Sequence, residues 1–175
     1  MPAVADTVTT HPYPAFQRAG DPSAPWGACW DVRSEWLRPL GDTEIGALVR
    51  AAREARSPLF EIVIRPLGGA IAERAADATA FSFRHADLLI EVIAGWFQKA
   101  DDPDAAAHRA WMTRTWEAVL GRSWGGADVN HLGLDEAPEH VRSAWSPETY
   151  ARFQQVKRRV DPDQVFTSTQ RVHLE

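Results

Sequence analysis

The chain has 175 residues, 45% of them apolar and 25% charged, with eight Trp, a single Cys and a net charge of −5. That length suffices for one domain with a sizeable core and not for two comfortable ones, and the acidic balance argues against a nucleic-acid partner, which needs a basic face. Cys29 alone excludes an intrachain disulfide framework and a Cys-rich metal site, and no apolar run approaches the 18 residues that a spanning helix needs.

Residues 1–10 read as a flexible tail, and Pro12 and Pro14 keep the arm up to residue 25 irregular. "WGACWDVRSEWL" predicts a strand over 27–36. A helix is expected from Thr43 to Arg56, capped by Asp42, with Ile45, Leu48, Val49 and Ala52 as its apolar stripe. "LFEIVIRPLGG" reads as a second strand, with Glu61, Val63 and Arg65 on one face and Phe60, Ile62 and Ile64 on the other. An acid and a base on a half-buried face suit the lining of a pocket, although a solvated face explains them equally well.

"AIAERAADATAFSF" suggests two short extended pieces around a turn. "ADLLIEVIAGWF" is the longest apolar run and predicts a buried strand, interrupted by Glu91. A carboxylate there is costly unless it is paired, hydrogen-bonded or neutral. Asp102-Pro103 opens a helix to about Leu120, with Met112, Trp116, Val119 and Leu120 on one side. "GADVNHLG" reads as a short strand and "PEHVRSAW" as a short helix. A last helix starts at Ser146-Pro147 and stops at Asp161-Pro162, with Tyr150, Phe153 and Val156 as its buried stripe. Its basic run Lys157-Arg158-Arg159 complements the helix dipole. The sum is α+β: a mostly antiparallel sheet with helices packed on one face.

No dinucleotide fingerprint, phosphate-binding loop, zinc-protease motif or serine-hydrolase elbow is present. His108, His131, His140 and His173 lack ligand-like spacing, so no metal is expected. The polar residues that stand out are Asp128, Asn130 and His131 in "GGADVNHLG". In a straight strand Asp128 and Asn130 would share a face and His131 would oppose them, so a common pocket needs a bulge or a strand end.

Three stretches, "PLGGAIAERAADATAFSFRHADLLIEVIAGW", "GGADVNHLG" and "YARFQQVKRRVDPDQVF", occur in an order that resembles the C-terminal, substrate-binding part of the berberine bridge enzyme-like flavin oxidases, in the vanillyl-alcohol oxidase superfamily. The resemblance runs over about residues 11–172 and implies a single substrate domain over 11–175 without the FAD-binding domain, hence no cofactor. Where the family carries an Asn-Gln-Asn step near the flavin, this chain has Thr169-Gln170-Arg171, and Ser82-Phe83 replaces the usual Pro-His. "DVNH" answers to the family's Tyr-x-Asn-aromatic motif at the flavin and substrate, with Asn130 kept and Asp128 and His131 in place of the aromatics. Some members carry a catalytic Glu where this chain has Leu89. Glu91, two residues on, shares that face.

The resemblance therefore implies a repurposed oxidase pocket. His131, Asp128 and Glu91 are the candidate catalytic residues, and Asn130, Trp30, Arg33, Glu61, Arg65 and Phe83 the candidate substrate contacts. The expected function is a cofactor-independent enzyme of bacterial secondary metabolism, acting on a small organic molecule by a non-redox cyclisation, isomerisation or dehydration. The alternatives are an accessory subunit of a split FAD-dependent oxidase or a non-catalytic binding protein. A cytoplasmic location and a twofold homodimer covering the surface left bare by the flavin domain are expected as well.

Overall fold

The computed structural model describes residues 9–97, 104–133, 136–166, 172 and 174. Most of the expected tail, the Asp102-Pro103 helix start and Thr169-Gln170-Arg171 lie outside the described residues. A short helix α1 (Tyr13–Arg18), in an arm expected to be irregular, starts behind Pro12 with Pro14 in its first turn, where proline is tolerated, and precedes strand β1 (Ala28–Leu37) and helix α2 (Asp42–Glu54). Strands β2 (Glu61–Pro66) and β3 (Leu88–Phe97) follow, then helices α3 (Ala105–Glu117), α4 (Pro138–Arg142) and α5 (Pro147–Val160).

The three strands form an antiparallel sheet in the order β1-β3-β2, which puts the most apolar segment in the centre. The register sets Ser34 opposite Glu91 and Glu91 opposite Val63, one step from Trp36 opposite Leu89 and Leu89 opposite Arg65. Because side chains alternate along a strand, this register sorts the sheet into two faces. Leu37, Ile90, Val92, Ala94 and Trp96 point to the helices and pack with Leu48, Trp111, Met112 and Val119. Burying each large apolar side chain there stabilises the fold by roughly 1.5–3 kcal/mol. Trp30, Val32, Ser34, Trp36, Leu89 and Glu91 occupy the other face, where Trp36, Ala86 and Leu89 form a second cluster with Leu67, Phe81 and Phe83.

Several local expectations are corrected. Helix α2 begins one residue early. Gly41 is its N-cap, and Glu44 Oε2 accepts the Gly41 N–H at 2.8 Å, so Asp42 lies inside the helix. Ile45 and Val49 of its expected stripe are exposed, and Leu48 and Ala51 face α3, where Trp111 Nε1 donates to the Ala51 carbonyl. Val156 of α5 is likewise exposed while Tyr150 is buried, and Ser146 caps that helix by accepting from Thr149 N. The segment from Ala72 to Asp87 forms turns and loop rather than extended pieces.

"GADVNHLG" is not a strand. Gly125 and Gly126 take φ of +81° and +89°, and Val129–His131 is a single 3-10 turn capped by the Asp128 side chain. Gly126 also sits where a Cβ would overlap Phe83. The left-handed glycines break the extended run, and Asp128 offers the turn a local acceptor that a strand would not use. Among the described residues no helix is long and apolar enough to cross a membrane.

Candidate functional site

Ser34 anchors the site. Its Oγ accepts from Asp128 N at 3.0 Å and donates to the His131 carbonyl at 3.2 Å, which staples the turn onto β1. Glu91 is Ser34's partner across the sheet, so the staple sets the turn over that carboxylate. His131 Nδ1 then stands 3.2 Å from Asp128 Oδ2 and 3.4 Å from Glu91 Oε1. The turn places Asp128 and His131 side by side, which a strand would have prevented.

Each carboxylate is held by further donors. Arg65 forks onto Glu91, Nε to Oε1 and Nη2 to Oε2, both at 2.9 Å. Glu91 is only 1% exposed, and the fork supplies the partner that its burial demands. The bonded Glu91 carboxylate in turn raises the Arg65 guanidinium above its ordinary pKa. Asn130 gives Asp128 Oδ1 two bonds, from its backbone N at 3.0 Å and from Nδ2 at 3.1 Å. Asp128 Oδ2 is thereby left for the imidazole.

Nδ1 faces two acceptors, so the favoured tautomer carries its proton there and leaves the lone pair on Nε2. Among the described residues Nε2 has no hydrogen-bond partner, and the side chain is 31% exposed. The arrangement is that of an imidazole oriented by carboxylates, able to take a proton at Nε2 and be stabilised as the imidazolium. The same three groups, Glu91, Asp128 and His131, offer ligand atoms within 4.8 Å of one another and can hold a divalent cation. A cation and the Nδ1 proton compete for that place. Sequence spacing joins only Asp128 and His131; β3 and the turn bring Glu91 to them.

The remaining sequence candidates divide between the two faces. Phe83 stacks on Trp36 with ring centres 5.3 Å apart, and both line a cavity of 170 Å³ beside Asp128 and Asn130. Glu61 is half-buried at the start of β2, opposite Ile93. Trp30 shares the face but covers Gly95, where a Cβ would overlap its ring. Arg33 does not join the cluster. As the neighbour of Ser34 it points to the opposite face and pairs with Glu136, which also lies 3.9 Å from His140. Burial and the Arg33 charge hold the His140 pKa below its ordinary value.

Ser34, Trp36 and Glu35 escaped the sequence reading. The period-two series Trp30, Val32, Ser34, Trp36 contained the signal for the first two. Glu35 points to the helix side, accepts from Ser123 Oγ at 2.7 Å, and is pushed up to about 7 by burial.

A family model described as "Berberine and berberine like" matches residues 127–173, which include the turn. Berberine bridge enzyme-like 28 of Arabidopsis thaliana is 25% identical over 78% of this chain and 29% of its own length. The solved structure of Physcomitrella patens BBE-like 1 superposes with a TM-score of 0.70 at 23% identity, covering 83% of this chain and 30% of that one. A glycopeptide hexose oxidase complexed with teicoplanin gives a TM-score of 0.67 at 22% identity, covering 84% and 32%. The chain spans about 30% of the length of these relatives. In sequence and in fold, the chain is thus similar to a part of the berberine bridge enzyme-like oxidases.

Proposed function

We propose that the chain catalyses a non-redox proton transfer on a small organic molecule, with His131 as the base and Asp128 and Glu91 as its orienting carboxylates. The observation that carries this reading is His131 Nδ1 held 3.2 and 3.4 Å from two carboxylate oxygens. His131 Nε2 removes a proton from the substrate, the carboxylates stabilise the imidazolium, and the same nitrogen returns the proton at another position. Isomerisation, dehydration and cyclisation by conjugate addition all need this step, and general acid–base help of this kind is worth roughly 10²–10⁴-fold. Relatives named for a glycopeptide and for aclacinomycin support bacterial secondary metabolites as the substrate class.

The family that the chain resembles carries a flavin, but the donor set of the described cluster does not fit one. An isoalloxazine ring asks for donors at its carbonyl edge, whereas Arg65 is forked on Glu91 and the Asn130 amide on Asp128. What the described cluster presents is carboxylate and imidazole. No step of the proposed reaction runs through a flavin. The proposal includes a cytoplasmic homodimer, supported by the single Cys and by exposed Phe16, Trp26 and Phe97.

The experiment is incubation of the purified protein in D2O with a panel of small unsaturated ketones, with and without added FAD. Deuterium gain without FAD is expected, and its loss in His131→Ala. A product two hydrogens lighter that forms only with FAD would overturn the proposal in favour of a second reading, a part of a flavin oxidase. That reading draws on the chain's span of about 30% of such relatives. Stoichiometric binding of a panel compound without exchange would leave a binding protein instead.

A further inference from the structure

Two carboxylates compete for one His131 proton. A single N–H serves one acceptor well, yet Nδ1 faces Asp128 Oδ2 at 3.2 Å and Glu91 Oε1 at 3.4 Å. Both separations exceed the roughly 2.7–2.9 Å of a charge-assisted hydrogen bond. They match instead the edges of a tetrahedral coordination shell, about 3.4 Å when each bond to the ion is about 2.1 Å. One ligand atom from each of the three residues lies within 4.8 Å of the others, so the three can share one ion.

Charge and support point the same way. Arg65 is forked on Glu91, while Asp128 receives only uncharged donors, the backbone N–H and Nδ2 of Asn130 and the imidazole. Two carboxylates thus face one guanidinium, and the cluster carries a negative charge in excess before a cation enters. Asn130 fixes Asp128 through Oδ1 and leaves Oδ2 toward the imidazole. Carboxylates that ligate metals are ordinarily held by such outer hydrogen bonds. His131 is 31% exposed, which gives an ion a way in from solvent.

The ligand set selects the ion. One imidazole nitrogen and two carboxylate oxygens suit divalent cations of the zinc class, whereas calcium and magnesium ask for about six or more oxygens. Three protein ligands leave a fourth position for water.

We propose that Glu91, Asp128 and His131 Nδ1 bind one divalent cation of the zinc class, and that the bound cation switches off the His131 base. A cation on Nδ1 takes the place of its proton, so the neutral ring carries its proton on Nε2. That is the nitrogen that accepts from substrate in the proposed reaction, and it then has no lone pair to offer. The switch rests on the proposed function; the cation site does not.

Titration calorimetry of the EDTA-treated full chain with Zn²⁺ is expected to show one equivalent bound, undisturbed by Mg²⁺ at about hundredfold excess. His131→Ala and Asp128→Asn should each weaken that binding by at least about 10²-fold. His140→Ala, which removes the imidazole beside Glu136, should leave it unchanged. A second measurement needs no variant. In the wild-type chain paramagnetic Co²⁺ should broaden the backbone resonances of Val63, Glu91 and residues 126–132 before those around the other histidines. In the deuterium-exchange assay one equivalent of Zn²⁺ should slow exchange by about 10²-fold or more, as loss of the base does, and EDTA should restore it. No binding at submillimolar Zn²⁺, binding that survives in His131→Ala and Asp128→Asn, or broadening centred on another histidine overturns the site. Exchange that persists or rises in the saturated chain overturns the switch. Absence of exchange in the metal-free chain would instead defeat the proposed function, with the titration still deciding the site.

Discussion

Each face of the sheet buries one glutamate, and the two acids have different neighbours. Glu35 faces the helices and has the Ser123 hydroxyl as its side-chain donor, so burial pushes its carboxyl up to about 7. Glu91 is buried just as deeply on the other face, where Arg65 forks onto both of its oxygens and the His131 imidazole lies 3.4 Å away. The contrast teaches that an acid buried without a cation beside it is reluctant to ionise, and that the other face instead gathers a cation and an imidazole around its buried acid. It also separates an acid that acts on stability from one that, in the proposed function, orients the His131 base.

That separation can be broken by substitution. The largest effect is expected at His131, where His131→Ala should slow turnover by about 10²–10⁴-fold while the circular dichroism spectrum stays native. A comparable loss of turnover in Glu35→Gln would abolish the distinction between the faces.

Next is the pH dependence of stability through Glu35. Its folded pKa, about 7, lies above its ordinary 4.5, so the folded chain holds this proton more tightly than the unfolded one. The resulting stabilisation is fully present below pH 4.5 and is lost as pH rises from 4.5 to 7. The shift corresponds to about 3 kcal/mol. Glu44 and Asp161 are shifted downward, by the Gly41 N–H and by Lys157 foremost, and their contributions run the other way, lost as pH falls. Urea unfolding of wild type and Glu35→Gln at pH 4.5, 5.5 and 7.5 isolates the Glu35 share as the difference between the two curves.

Arg65→Gln should destabilise the fold by about 1–3 kcal/mol, because it withdraws the charged partner of a buried carboxylate. The double variant with Glu91→Gln should recover part of that loss, and failure to recover it would show that the pair contributes little. The smallest effect is expected for Asn130→Ala, about 0.5–1.5 kcal/mol. Its backbone N–H still donates to the capping Asp128 Oδ1 while the Nδ2 bond is gone. Thermal melts of the two single variants rank them.

Much of this organisation was legible along the chain. The strand expected at 27–36 is found one residue on, and the one expected in "LFEIVIRPLGG" is found over Glu61–Pro66, because β-branched and aromatic residues recur there. Glu91 stood out because an acid inside an apolar run has few comfortable solutions. Arg65 and Glu61 were sorted correctly onto one face by period two alone. The turn at Val129–His131 was read as a strand because its apolar neighbours resemble one, while the outcome hung on Asp128 capping the turn and on two left-handed glycines. Arg33 was expected among the substrate contacts, but one step of alternation sends it to Glu136.

By itself the sequence determined the kinds of elements, the faces of each strand and the presence of an acid, an amide and an imidazole in one short segment. Those are local properties, set by side-chain period, capping chemistry and backbone preference. Tertiary structure alone decided that Ser34 would staple the turn over Glu91, that Arg65 would occupy that carboxylate, and that the Trp36 N–H would be buried without a partner among the described residues. These depend on strand register and on contacts between residues as many as 97 positions apart, and no local pattern encodes which distant side chain meets which.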